Sequence, residues 1–179
     1  MGNSQTGLAG AALWQQAASF AAWKHRLQIR KDGRTPYIAH TFRVAMTVRD
    51  VFGCDDATVI VAALLHDTIE DTLTDHDELS SRFGSEVADL VAALTKNMAL
   101  PEARREADYD ARLASADWRA RLIKLADVFD NHSDLPERSA EAMVKMHDKC
   151  RRAIELAEAD AARHECIRRG IAAVKSLMA

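Results

Sequence analysis

Proline is scarce: positions 36, 101 and 136 are the only ones in 179 residues. Each stands where a loop or a first helical turn can take it, so long stretches are free of the residue that breaks helices. Strict apolar–polar alternation is absent and β-branched runs are short, which removes the signature of half-buried strands. Cysteine is sparse too. Cys54, Cys150 and Cys166 show no C-x-x-C spacing, which excludes a zinc ribbon or dithiol redox motif, and an odd, scattered set fits a reducing cytosol. Charge of neither sign dominates, since 24 basic residues face 27 acidic ones for a net of -3. A chain so balanced, without a long basic stripe, is not built to coat nucleic acid. No apolar run reaches the roughly 20 uncharged residues of a membrane span. The Ala-rich stretch 8–23 lacks a basic leader and carries Gln15 and Gln16, so it reads as an amphipathic helix and not as a signal peptide. Internal repeats, low-complexity segments and linkers are missing as well, and residues 1–179 are expected to form one domain.

Apolar residues make up 48% of the chain, enough for a substantial core. Their spacing predicts an all-α bundle of about eight helices. The first runs from Ala11 to Arg30 and ends in a loop, 31–36, punctuated by Gly33 and Pro36. A second spans His40 to Phe52-Gly53, with Val44, Ala45, Val48, Val51 and Phe52 at helical spacing. Asp55 or Asp56 caps a third that runs through Glu70. Thr74 opens a fourth, Ser85 a fifth ending near Lys96, and Pro101 a sixth. A seventh covers Asp117 to Asn131, and one or two more fill 139–179 after Pro136.

The third helix carries the strongest chemical signal. Residues 59–65 are apolar without a break, so this helix is central and buried. It then delivers His66, Asp67, Glu70 and Asp71 within six residues. Buried charge is costly without a partner. His66 and Asp67 diverge by roughly 100° around a helix, and a metal between them could take both. Glu70 and Asp71 lie one turn further along, roughly 5–6 Å away, a better offset for holding water than for joining the same ion. Alternatively the helix simply surfaces at His66. Acidic residues at a helix C-terminus oppose the macrodipole, however, and a bound cation would relieve that conflict.

Two further ligands are open on residue patterning alone. His40 lies in line with the apolar stripe at Val44 and also reads as a satisfied interior histidine. Asp127 lies off the stripe Leu122, Leu125, Ala126 and Phe129, so it reads as an exposed acid, with Asn131 on its face. The loop before His40 is basic, with Arg26, Arg30, Lys31 and Arg34; it is either a solvated face or a reader of phosphate and base. Arg104 and Arg105, with Tyr109 nearby, read as surface.

Taken in order, His40, His66-Asp67 and Asp127 resemble the H…HD…D signature of HD-domain phosphohydrolases. The runs TPYIAH (35–40), HDTIEDT (66–72), Phe83-Gly84 and KLAD (124–127) with Asn131 narrow the resemblance to the hydrolase domain of RelA/SpoT-type alarmone enzymes, near the small stand-alone hydrolases. It covers about residues 17–136; the C-terminal helices, 139–179, match nothing. Three positions depart from the usual pattern. Thr41 follows His40 where proline is common, Asp130 replaces a His or Tyr, and Ser133 replaces an Arg.

The resemblance implies one Mn²⁺ held by His40, His66, Asp67 and Asp127. It makes Glu70 and Asp71 the groups that orient and activate water, Arg30 and Lys31 the contacts to guanine and phosphates, and Tyr37 and Asn131 the lining of the nucleoside site. The implied reaction is hydrolysis of the 3′-pyrophosphate of ppGpp or pppGpp to GDP or GTP and pyrophosphate, in the cytoplasm, without nucleic acid or membrane partners. Oligomeric state is left open. The alternatives are a phosphatase for another nucleotide such as NADPH and a nucleotide-binding sensor without turnover; the presence of both Glu70 and Asp71 argues against the sensor.

Overall fold

The computed structural model describes residues 4–134 and 139–179, with side-chain surroundings from residue 13 onward; Pro136 lies outside the described residues. The helices are α1 (Ser4–Lys24), α2 (Ile38–Met46), α3 (Ala57–Leu65), α4 (Thr68–Asp71), α5 (His76–Phe83), α6 (Ser85–Leu94), α7 (Glu102–Ser115), α8 (Trp118–Ser133), α9 (Ala140–Ala157) and α10 (Glu165–Ser176). A π-helical turn, Thr47–Val51, extends α2, and a 3₁₀ turn, Glu158–Asp160, follows α9. Among the described residues no strand forms; one isolated antiparallel bridge joins Ile29 and Pro36. No described helix is long and apolar enough to cross a membrane.

The all-α expectation holds, and the apolar run makes α3 the axis of the fold. Val59 and residues 61–65 are buried, and α1, α2, α6 and α8 pack around them. Full burial of each Val or Leu contributes about 1.5–3 kcal/mol, so this helix alone anchors much of the core. Asp56, not Asp55, caps it, accepting the amides of Thr58 and Val59 at 2.8 and 3.4 Å. The second axis is α8, which packs against α2, α3, α6, α9 and α10. Asp117 caps α8 through the Arg119 amide at 2.9 Å. Buried Arg121 turns back from α8 to donate to the carbonyls of Leu113, Ala114 and Ala116, which would otherwise be orphaned at the end of α7.

Four predicted boundaries are corrected. The first helix stops at Lys24, not Arg30, because the backbone of 28–30 is spent on the loop: Arg30 N–H donates to the Thr35 carbonyl, and Tyr37 N–H to that of Gln28. Asp32 fixes the tip by accepting the Arg34 and Thr35 amides, and Gly33 supplies the positive φ of 75° that the turn needs. The third helix stops at Leu65, not Glu70. Asp67 takes φ -98°, ψ -1°, and the Thr68 hydroxyl and His66 Nδ1 engage the Leu65 and Ala63 carbonyls. The cap of α5 is Asp75, not Thr74, because Asp75 accepts the Glu78 amide. Finally, α6 ends at Leu94, which frees the Lys96 amide for the site.

Candidate active site

Three backbone pieces meet at the end of α3. The break after Leu65 turns His66 and Asp67 toward the starts of α2 and the middle of α8, where His40 and Asp127 sit. Ligand atoms of His40, His66 and Asp67 all lie within 4.8 Å of one another. Asp127 Oδ1 is 3.4 Å from His40 Nε2 and 3.9 Å from His66 Nε2, while Asp67 Oδ2 is 3.5 and 3.1 Å from the same two nitrogens. Both histidines are buried. His66 Nδ1 is occupied by the Ala63 carbonyl at 2.9 Å, and its Nε2 is buried without an aligned hydrogen bond. An orphaned imidazole nitrogen facing two carboxylates and a second imidazole fits a divalent cation.

The electrostatics agree. Burial opposes a charged His40, but hydrogen bonds to Asp127, Asp130 and Asp67 outweigh it and push the pKa up to about 11. Burial likewise opposes ionisation of Asp67, and the positive charge of His66 and hydrogen bonding to His40 hold it well below the usual carboxylate range. Lys124, His40 and His66 do the same for Asp127 against its burial. The cluster therefore keeps two carboxylates ionised beside the two imidazoles.

Reading Asp127 as an exposed acid is corrected. Ala120 to Ile123, Leu125, Ala126 and Val128 of α8 are all buried, so the helix has no broad wet face, and its polar stripe looks into a cleft. Asp127 there holds Lys124 at 2.8 Å and accepts from Asn131 Nδ2 at 2.5 Å. His40 is interior and partnered, as one of its two readings had it, and it also faces the site.

A cleft of about 610 Å³ opens over the cluster, lined among others by Tyr37, Glu70, Asp71, Lys96, Tyr109, Lys124, Asn131 and Lys149. Tyr37 donates its hydroxyl to Asp67 Oδ2 at 2.7 Å and stacks on His25. Glu70 is anchored by the Lys96 amide at 2.7 Å. Its pKa is raised first by burial, then by the charges of Asp67 and Asp71. Asp71 is raised by the same kind of causes. A second space of about 560 Å³ adjoins the first between α7, α8 and α9 and shares Lys96, Tyr109, Lys124 and Lys149 with it.

The basic loop divides. Arg30 leans back onto Asp134 at 3.0 Å and Asn131 at 2.9 Å, with its guanidinium 5.7 Å from the Tyr37 ring centre. Lys31 is exposed and stands outside the cleft lining. Tyr109, read as surface, is instead 4% exposed and lies between Lys96 and Lys124, each 5.4 Å from its ring centre. The sequence reading missed Lys96, Lys124 and Lys149. Lys124 directly precedes the Leu-Ala-Asp of the motif and could have been found; Lys149 sits in a C-terminal helix that carried no motif.

The comparisons with known proteins point the same way. The HD-domain family profile matches residues 17–153. The human guanosine-3′,5′-bis(diphosphate) 3′-pyrophosphohydrolase MESH1 is 44% identical over 126 residues, 70% of either chain. The enzyme named guanosine-3′,5′-bis(diphosphate) 3′-pyrophosphohydrolase in Aquifex aeolicus is 43% identical over 120 residues, 65% of this chain and 17% of that one. A solved structure described as a metazoan ortholog of SpoT that hydrolyzes ppGpp superposes with a TM-score of 0.79 at 27% identity, over 92% of this chain and 94% of the other. With the motif residues gathered at one cleft and the profile spanning most of the fold, this chain belongs to the HD-domain family, among the relatives of MESH1.

Proposed function

We propose that the protein hydrolyses guanosine 3′,5′-bis(diphosphate), releasing pyrophosphate from the 3′ position. The observation that carries this reading is the convergence of His40, His66, Asp67 and Asp127 around an orphaned imidazole nitrogen, at the floor of a lysine-lined cleft. The named activity of the MESH1 relatives supports the substrate.

In this reading the four side chains hold one Mn²⁺, an ion suited to two imidazoles and two carboxylates. When bound, the ion would offset charge on the phosphoryl oxygens and polarise water. Manganese polarises water less than zinc does, so a protein base gains importance. Glu70 fills that role: its raised pKa brings it nearer the operating pH, where proton transfer is efficient. Water oxygen bonds to the phosphorus on O3′, Glu70 takes the proton, the P–O3′ bond breaks, and a proton ends on O3′. The products are GDP and pyrophosphate. Asp71 orients the water, and Tyr37 holds Asp67 in place by donating its hydroxyl to Oδ2. Lys96, Lys124 and Lys149 face the phosphates as point charges, Asn131 lines the nucleoside site, and Arg30 and Lys31, which stand outside the cleft lining, would have to reach the guanine and phosphates from the loop. Lys149 stands at the exposed mouth, where nearby protein atoms and the charges of Lys124 and Lys96 hold its pKa below the usual lysine value. In this reading α9 belongs to the hydrolase unit, since it supplies this cation. Three free thiols fit a cytoplasmic location.

The test is product analysis with Mn²⁺-loaded protein, ppGpp and NADPH as separate substrates. GDP with pyrophosphate supports the proposal. Inorganic phosphate with NADH, and no turnover of ppGpp, would replace it.

A further inference from the structure

His40 and His66 are presented to the cluster in different ways. His66 Nδ1 meets a neutral carbonyl of its own helix, whereas His40 Nδ1 meets the Oδ2 of Asp130, 2.7 Å away on α8. Asp130 is only 4% exposed. Its two oxygens are gripped by Arg43: Nε donates to Oδ1 at 2.5 Å, and Nη2 to Oδ2 at 3.0 Å. The same Nη2 reaches Asp134 at 2.7 Å, and Asp134 also takes Arg30 Nε. Arg30 donates to Asn131, and Asn131 to Asp127, whose Oδ1 faces His40 again. The polar contacts therefore close a ring that starts and ends at His40, with a half-buried arginine from α2 clamped onto α8.

We propose that Asp130, fixed by Arg43, is the positioning carboxylate of His40: it accepts the Nδ1 proton and so turns a basic Nε2 toward the metal. This rests on the metal reading of the cluster given above. A carboxylate behind a metal-binding imidazole fixes its tautomer and strengthens it as a ligand, and losing such a partner typically costs about 10–100-fold in metal affinity. Arg43 keeps the buried carboxylate from standing uncompensated and locks its plane. Asn131 and Arg30 extend the same order to Asp127.

Asp130→Asn is the direct probe because it keeps shape. The amide can satisfy His40 or Arg43 but not both, since one of its two ends is now a donor. Mn²⁺ affinity is measured by titration calorimetry, and circular dichroism of the metal-free proteins checks the fold. In the Co²⁺-substituted proteins, proton NMR in water reads the shifted ring N–H signals of the two metal-bound histidines. The expected result is about 10–100-fold weaker Mn²⁺ binding. The His40 N–H signal should exchange away while the His66 signal stays sharp as an internal control. Should Asp130→Asn fail to fold, Arg43→Met is expected to give the same selective loss of the His40 signal with a smaller fall in affinity. Wild-type protein that binds neither Mn²⁺ nor Co²⁺ would sink both the metal reading and this inference. Wild-type binding with variant affinity within threefold and both N–H signals unchanged would overturn this inference alone.

Discussion

Replacing Glu70 with Gln separates chemistry from scaffolding. Glu70 Oε2 accepts the Lys96 amide at 2.7 Å, and the carbonyl oxygen of a glutamine can accept the same bond. The side chain thus stays in place, and the loop after α6 keeps its anchor. The substitution removes one negative charge from a cluster in which Asp67 and Asp71 already repel it. Fold stability should therefore hold or rise slightly. Metal binding should also hold, because Glu70 is anchored to the Lys96 amide and is not one of the four proposed ligands, His40, His66, Asp67 and Asp127.

What the variant cannot do is take a proton. General-base catalysis contributes about 10²–10⁴-fold, and each tenfold corresponds to about 1.36 kcal/mol of barrier. The expected loss in kcat is therefore about 10²–10⁴-fold, or roughly 2.7–5.4 kcal/mol. Because proton transfer occurs only on the way to the transition state, kcat and kcat/KM should fall together with KM little changed. The assay is release of pyrophosphate from ppGpp with saturating Mn²⁺, alongside calorimetry of Mn²⁺ binding. A kcat within threefold of wild type, with metal bound equally well, would refute the assignment of Glu70 as base.

Other perturbations have equally definite outcomes. Mn²⁺ at about 100 times its dissociation constant should stabilise the fold by about 2.7 kcal/mol, seen as a rise of about 5–10 °C in melting temperature. Asp67→Ala should abolish both that rise and turnover; an unchanged rise in this variant would place the ion elsewhere. Lys149→Met should raise KM for ppGpp by about three- to tenfold and weaken the salt dependence of KM, because the lost contact is a partly screened charge. Steady-state kinetics at two ionic strengths decide it, and an unchanged KM would remove Lys149 from the phosphate site. At α8, Asp117→Ala should cost about 1 kcal/mol of stability for the lost cap. Arg119 holds the Asp117 carboxyl below its usual pKa, so its contribution is present above about pH 4 and fades as pH falls through the folded value. Denaturant melts at pH 7 and pH 3 should show a smaller wild-type advantage at the lower pH; an equal advantage at both would contradict that sign.

How far the sequence could be read depended on whether local pattern or tertiary packing decided each feature. The apolar run 59–65 announced a buried helix, and the acidic, histidine-bearing residues after it announced a costly site; both follow from burial physics within one segment. The exact end of that helix did not follow, because it is set by hydroxyl and imidazole bonds to the Leu65 and Ala63 carbonyls that compete with continued helix. Asp127 is the sharper case. A helical wheel sorts residues into one dry and one wet face, and that sorting presumes a helix at the surface. Because α8 is flanked by α2, α3, α6, α9 and α10, both of its faces are interior, and the side opposite the apolar stripe borders a cleft. Only the resemblance to a known signature could place Asp127 there. Lys149 was beyond either route: it reaches the site because α9 packs on α8, and nothing in its own neighbourhood distinguishes it from a solvated lysine. The same logic explains why Asp130 went unremarked as a contact. Its partner His40 is ninety positions away in the chain, and only the packing of α2 on α8 brings the carboxylate behind the ring. In this fold, then, local sequence specifies which segments must be buried and where charge will be expensive, whereas the crossing of α2, α3 and α8 decides which of those charges meet.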